Sequence, residues 1–336
     1  MALQSIGVVV IGRNEGNRLR QCLLSVIGEG RTVVYVDSGS TDGSVALARS
    51  LGVHIVELDL SIKFTAARAR NAGFEYLLQV QPELELIQFV DGDCRVVEGW
   101  LERAASELVT QPEVVVVCGR RREEFPDNSI YNRLFDIEWN TAIGEAKSCG
   151  GDSMMKVSAF KNVGGFNPKL IAGEEPELCL RLRQAGGKIL RIDAEMTLHD
   201  AQMTRFSQWW KRSIRSGYAF TEGAWLHGGS PERHWVRESN RIWLWAVFLP
   251  IFSVAGLLAT RGFSILLLLM AHTFVAYRLY RRIRVRGFDQ KEAIFYALFC
   301  AIEKYPQLLG KIQFYIFRFL KRQRTIVEYK SAPSAS

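Results

Sequence analysis

An α/β fold is predicted for this 336-residue chain: a mostly parallel sheet with helices on both faces, followed by an α-helical membrane-associated region. Three observations predict it. Up to Val117, short apolar runs alternate with helix-length amphipathic segments, the pattern of a parallel sheet under right-handed crossovers. Several of these runs stop at polar or charged residues, namely Arg13-Asn14-Glu15, Asp37 and Asp91/Asp93. Their carboxyl ends would gather on one edge, where open α/β sheets bind ligands. Charge is also uneven. Residues 1–201 carry 22 Lys+Arg against 28 Asp+Glu, whereas 202–330 carry 21 against 7. A basic second part points to anions such as membrane headgroups or phosphates.

The elements follow in order. Ile6–Ile11 is an uninterrupted apolar run of buried-strand type, broken by Gly12-Arg-Asn-Glu-Gly16. Leu19, Leu23, Val26 and Ile27 then fall on one helical face. Thr32–Asp37 is a second strand, and Ser38-Gly-Ser-Thr-Asp-Gly43 is a turn before a helix near Ser44. Val53–Leu58 is a third strand, and Thr65–Leu78 a helix containing Ala66-Ala-Arg-Ala-Arg-Asn-Ala-Gly73. Leu86–Val90 is a strand that ends in Asp91-Gly-Asp93. On its own that triplet fits an Asx-rich turn as readily as a cation site, although paired carboxylates do suit a hard divalent ion. A helix near Glu98–Val109 and a strand at Val114–Val117 close a five-strand series.

Arg120–Asp136 reads as a polar surface excursion, and Cys149–Val157 as a loop entering a strand. In Gly173-Glu-Glu-Pro-Glu-Leu-Cys-Leu-Arg-Leu-Arg183, Pro176 fits a first helical turn, which places Glu174 and Glu175 at the helix amino terminus. Lys188–Ile192 is a further strand, followed by Thr197-Leu-His199. The six cysteines show no metal-type spacing, and the amino terminus runs into a strand with no basic leader-like stretch, so free thiols in a reducing setting are expected.

From Arg205 the chemistry changes. Residues 202–241 mix basic and aromatic side chains, as in an interfacial segment. Ile242–Thr260 and Gly262–Tyr277 carry no Asp, Glu, Lys or Arg, and Arg261 separates them. Each is near the ~20 residues of a spanning helix, so 242–280 is read as a two-helix membrane hairpin, either spanning or re-entrant. Arginines before and after it would lie on the cytoplasmic side. Residues 281–330 read as amphipathic basic helices, and 331–336 as a disordered tail. No nucleic-acid-binding module is present.

Five motifs in order carry a resemblance: Val8-Val-Val-Ile-Gly-Arg-Asn-Glu-Gly16, Val36-Asp-Ser-Gly-Ser-Thr-Asp-Gly-Ser44, Ala69-Arg-Asn-Ala-Gly73, Phe89-Val-Asp-Gly-Asp93 and Gly173–Leu182. Residues 6–200 resemble the catalytic domain of a family 2 glycosyltransferase of the membrane-attached bacterial type, with a GT-A (Rossmann-like) fold. The resemblance implies that Asn14, Glu15 and Asp37 hold the nucleotide, that Arg70 and Asn71 lie near the diphosphate or help shape its pocket, and that Asp91 approaches the donor ribose or sugar. It further implies Asp93 and His199 as ligands of Mg²⁺ or Mn²⁺, and Glu175 or Glu174 as general base. The expected reaction is inverting transfer from a nucleoside-diphosphate sugar, a UDP-sugar first, to a lipid-linked or membrane-proximal hydroxyl in polysaccharide or glycolipid assembly. The expected place is the inner cell membrane, with the catalytic domain on its cytoplasmic face.

Where the family often has Glu-Asp, this chain has Glu174-Glu175. The Gln-x-x-Arg-Trp motif of processive members is absent from 202–220, which implies addition of one or a few sugars. Two other readings compete. A sugar-phosphate nucleotidyltransferase would want a denser glycine loop after the first strand. A non-catalytic nucleotide-sugar-binding scaffold would not need Asp91, Asp93 and Glu175 intact.

Overall fold

The structure is a computed structural model and describes residues 5–321. The expected tail at 331–336 lies outside the described residues. The chain divides into two compact units. Among the described residues, the first comprises 5–125 and 138–202, and the second 126–137 and 203–321.

The first unit is built on β1 (Ile6–Gly12), β2 (Arg31–Asp37), β3 (His54–Glu57), β4 (Leu86–Asp91), β5 (Cys94–Val96), β6 (Val114–Glu123), β7 (Gly144–Glu145), β8 (Ser153–Lys156) and β9 (Lys188–His199). Its helices are α1 (Asn17–Val26), α2 (Ser44–Ser50), α3 (Ala66–Val80), α4 (Trp100–Thr110), α6 (Val157–Asn162) and α7 (Glu174–Gln184), while α5 (Ile130–Trp139) links it to the second unit. The strands form one sheet in the order β3-β2-β1-β4-β8-β6-β9-β5, with β7 on β9.

The strands β3, β2, β1 and β4 are parallel, as the alternating pattern predicted. The other half is mixed: β8 enters antiparallel between β4 and β6, and β6 then pairs parallel with β9. The five-strand series is thus interrupted, because β8, which starts 62 residues after the end of β4, takes the place beside it. β8 is short and begins directly after a Gly-rich loop, so its sequence carries no crossover signal. Two strands outrun their apolar cores. β6 continues through Arg120–Glu123 and β9 through Thr197–His199, where Glu123 sits across from His199. Residues 126–137 were expected to continue a surface excursion but belong to the second unit.

Register aligns the strand ends. Gly12 of β1 lies opposite Asp37 of β2, and Ile11 lies opposite Asp91 of β4. The three carboxyl ends therefore share one edge. Helix α3 approaches the sheet closely at Gly73, where a Cβ would stand 2.5 Å from Val9 Cγ1 and 2.8 Å from Val36 Cγ2. This absent side chain lets α3 lie flat on β1 and β2, with Arg70 near the same edge. The core beneath includes fully buried Val8, Val9, Val10, Phe89, Val116 and Met154.

The second unit is helical: α8 (Phe206–His227), α9 (Val236–Trp243), α10 (Leu249–Ala255), α11 (Phe263–Val285), α12 (Gln290–Ile302) and α13 (Lys304–Phe319). Between α9 and α10 lies a π-helical turn, Leu244–Phe248. Pro250 follows it and lacks an N–H donor, so a widened turn here relieves the missing hydrogen bond. Among the described residues, α11 alone is long and apolar enough to cross a membrane. The first arm, α9 to α10, is the shorter and interrupted partner. Both arms expose large apolar side chains, among them Phe252, Val254, Leu258, Phe263, Leu269 and Phe274. Arg261 stands in the turn between them, with φ +50°.

Candidate active site

The site is built from the carboxyl ends of five strands, β1, β2, β4, β6 and β9, and from helices α3 and α7 of the first unit. Asp37 is buried at the end of β2. Tyr35 donates to its Oδ1 at 2.8 Å, and the Gly39 and Ser40 amides donate to its Oδ2, each at 2.8 Å. Asn14, in the left-handed region at φ 55°, accepts from the Thr41 amide at 2.7 Å and donates its own amide to Ser40 Oγ. Asp37 and Asn14 thus lock together the loops after β1 and β2. Glu15 pairs with Arg18 at 2.7 Å. These residues meet as predicted, and their side chains largely hold the loops themselves.

Arg70 is the centre of the edge and is 2% exposed. It reaches from α3 to Asp91 Oδ1 at 2.7 Å and to Glu174 Oε1 at 2.9 Å. Burial works against the charged guanidinium, but Asp91 and Glu174 outweigh it and hold the proton in place. Gly151 makes the approach possible, since a Cβ there would stand 2.8 Å from Asp91 Oδ2 and 2.9 Å from Arg70 Nη2. Asn71 turns the other way. Its amide donates to the Phe166 carbonyl at 2.8 Å and accepts from the Phe166 amide at 3.0 Å, so it fixes a wall of the site.

Two residues that the sequence reading missed complete the frame. Asp152 is fully buried: its carboxylate accepts from the Asp91 amide at 3.0 Å and from Thr197 Oγ1 at 2.8 Å. Arg121 lies 3.4 Å from both Asp91 Oδ2 and Asp152 Oδ2, over the Trp139 ring. Asp152 was legible only as part of a loop entering a strand, and Arg121 sat in what read as a surface excursion.

Beside them, Asp93 Oδ2 lies 3.3 Å from His199 Nε2, and His199 Nδ1 lies 3.4 Å from Glu123 Oε2. The pairing of β5 with β9 sets Cys94 opposite His199, and β6 sets Glu123 there from the other side. Burial, with Arg121 adding to it, pushes His199 below its ordinary value against the pull of Glu123. The ring is thus neutral at pH 7. The imidazole stands between two carboxylates, and a neutral histidine beside Asp93, with a second carboxylate behind the ring, is a donor set that fits a divalent cation. The atoms of Asp93, Cys94 and His199 lie within 4.8 Å of one another.

Glu174 and Glu175 open α7, as Pro176 predicted. They diverge. Glu174 faces Arg70. Glu175 Oε1 accepts from the Cys149 amide at 2.5 Å and from the Cys179 thiol at 2.9 Å.

The Arg70 arrangement is open to a direct test. Replacing Arg70 with Ala leaves Asp91 and Glu174 without their buried cation, and should cost about 3–5 kcal/mol in stability. Lys at this position can reach only one carboxylate well and should recover less than half of that. Chemical unfolding of the three proteins measures both.

The site's surroundings also match known proteins. Residues 7–162 match the family described as glycosyl transferase family 2, and residues 133–206 match one described as the N-terminal domain of galactosyltransferase. Glycosyltransferase AglE of Haloferax volcanii is 25% identical over 228 residues, which cover 64% of this chain and 72% of that protein. Succinoglycan biosynthesis protein ExoA of Rhizobium meliloti is 28% identical over 172 residues, covering 48% of this chain and about half, 51%, of its own length. Among solved structures, a mannosyltransferase from Pyrobaculum calidifontis, in complex with GDP-Man and Mn²⁺, superposes with a TM-score of 0.59 at 18% identity. That match covers 89% of this chain and 87% of the other. The motif order, the sheet and these matches agree: residues 7–162 are similar to family 2 glycosyltransferases, and the amino-terminal part of the chain has a GT-A fold.

Proposed function

We propose that this protein transfers a sugar from a nucleoside-diphosphate donor to an acceptor hydroxyl with inversion, at the membrane surface. The observation that carries the reading is the Arg70 bridge, which ties a carboxylate on the donor edge, Asp91, to a carboxylate at the mouth of α7, Glu174. Donor side and acceptor side are thereby held in one rigid frame. A mannosyltransferase of the same fold, solved with GDP-Man and Mn²⁺, supports a nucleotide-sugar donor and a divalent ion.

Asp93 and His199 would hold Mg²⁺ or Mn²⁺, which when bound offsets the charge that develops on the departing diphosphate. The chain's own residues do the rest. The Asp37–Asn14–Ser40 loops form the nucleotide end of the pocket. Asp91, oriented by Arg70, Arg121 and the Asp152 carboxylate on its amide, lies toward the donor sugar. Glu175 takes the acceptor proton. Its Oε1 is held by two neutral donors, and among the described residues none donates to its Oε2. Glu174 is the weaker candidate, because taking a proton would strip Arg70 of one of its two closest anions. Attack by the deprotonated hydroxyl opposite the leaving group gives inversion in one displacement.

The second unit would anchor the enzyme. Its apolar arms, with Arg261 in the turn and Arg278, Arg281, Arg282, Arg284 and Arg286 toward and beyond the end of α11, fit a short hairpin. An arginine at the turn suits a spanning hairpin, since it could reach the far headgroups, whereas a re-entrant one would strand it in hydrocarbon. The acceptor is then lipid-linked or membrane-proximal, and without the processive motif one or a few sugars are added.

Two measurements test this reading. Glu175→Gln should lower transfer 10²- to 10⁴-fold, a span typical of a lost general base, with donor affinity changed little. Glu174→Gln should lower stability more than Glu175→Gln does; if it alone stops transfer, the base is Glu174. Separately, replacing Leu269 and Met270 with Lys should release the protein from carbonate-washed membranes. Retention there would count against α11 as the anchor.

A further inference from the structure

A second cluster of metal-ligand side chains lies behind the catalytic edge. Cys149 Sγ and Cys179 Sγ are 3.5 Å apart, and Cys179 Sγ is 2.9 Å from Glu175 Oε1. All three side chains are buried, and their ligand atoms fall within 4.8 Å of one another. Glu175 and Cys179 are one helical turn apart on α7, and Cys149 comes from the loop before β8. The set draws on two elements already packed together, so no large rearrangement is needed to close it around an ion.

We propose that Cys149, Cys179 and Glu175 form a second cation site, selective for a thiophilic divalent ion of the Zn²⁺ class. Two thiolates with one carboxylate oxygen suit Zn²⁺, whereas Mg²⁺ and Mn²⁺ prefer oxygen-rich sets. The distances agree. Around a tetrahedral zinc, with bonds of about 2.3 Å to sulfur and about 2.0 Å to oxygen, ligand atoms stand roughly 3.5–3.8 Å apart. The sulfurs, 3.5 Å apart, need to part by only about 0.3 Å, and the Glu175 oxygen must withdraw from Cys179 by roughly half an ångström. Binding releases two thiol protons to solvent, leaves Glu175 as carboxylate and involves no change of oxidation state. The site is distinct from the Asp93–Cys94–His199 set, which has one sulfur and lies on β5 and β9.

One consequence rests on the proposed function: an ion at this site takes Glu175 out of use as a base. Zn²⁺ would then inhibit transfer that Mn²⁺ or Mg²⁺ supports, through a site the activating ion does not occupy.

The test uses the full chain in detergent under a phosphine reductant, with Co²⁺ as spectroscopic probe and Zn²⁺ as competitor. The expected result is a thiolate-to-cobalt charge-transfer band of two-thiolate intensity at one equivalent, displaced by Zn²⁺. The Cys149→Ser/Cys179→Ser double variant should bind Co²⁺ at least tenfold more weakly and lose the band. A band that survives in that variant places the ion on other cysteines and overturns the proposal, as does no band in the unaltered protein. Should the variant not fold, X-ray absorption at the zinc edge of the unaltered protein decides. Two sulfur neighbours support the site, and one or none overturns it. Two sulfurs without inhibition of transfer support the site and overturn Glu175 as base.

Discussion

The buried guanidinium of Arg70 is the constraint on which the catalytic edge depends. It sits where water cannot screen it, so its charge must be met by protein groups, and Asp91 and Glu174 meet it from two elements far apart in the chain. Several features of the sheet serve this contact. Gly73 lets α3 lie close to β1 and β2, Gly151 leaves room beside the guanidinium, and Asp152 holds the Asp91 amide. A buried ion pair of this kind contributes little net stability against a well-packed apolar alternative. What it supplies is geometry: it sets the distance between the Asp91 carboxylate and the start of α7.

The neighbouring His199 follows a different logic. Its place is set by strand register, with Cys94 on one side and Glu123 on the other. Burial keeps the ring neutral, between the carboxylates of Asp93 and Glu123. The Arg70 guanidinium fills its place with positive charge, whereas the Asp93–His199 place holds a carboxylate and a neutral imidazole. That contrast is why the second place, and not the first, is the one proposed for a metal.

Much of this was legible in the residues. Apolar runs that stop at Arg13-Asn14-Glu15, at Asp37 and at Asp91-Gly-Asp93 located three strand ends, and Pro176 located the start of α7 with its two glutamates. The parts that were not legible depend on pairing between distant segments. Nothing local in Ser153–Lys156 says that it slots antiparallel beside β4. Arg121 and Glu123 looked like surface charge because the apolar run ends at Val117, although the strand continues. Asp152 looked like loop because its role is to accept a hydrogen bond from a residue 61 positions away. The divergence of Glu174 and Glu175 is likewise invisible in sequence, since both are first-turn acids and only their tertiary partners separate them.

If the Arg70 edge and the Asp93–His199 pair form one site, a divalent ion and a nucleoside diphosphate bind there together, and calorimetric titration of the full chain with UDP and GDP, with and without Mn²⁺, detects it. One of the two nucleotides is expected to bind in the presence of Mn²⁺, and chelation or Asp93→Asn to weaken this binding at least tenfold. Equal affinity with and without the ion, or with and without the Asp93 carboxylate, would contradict it.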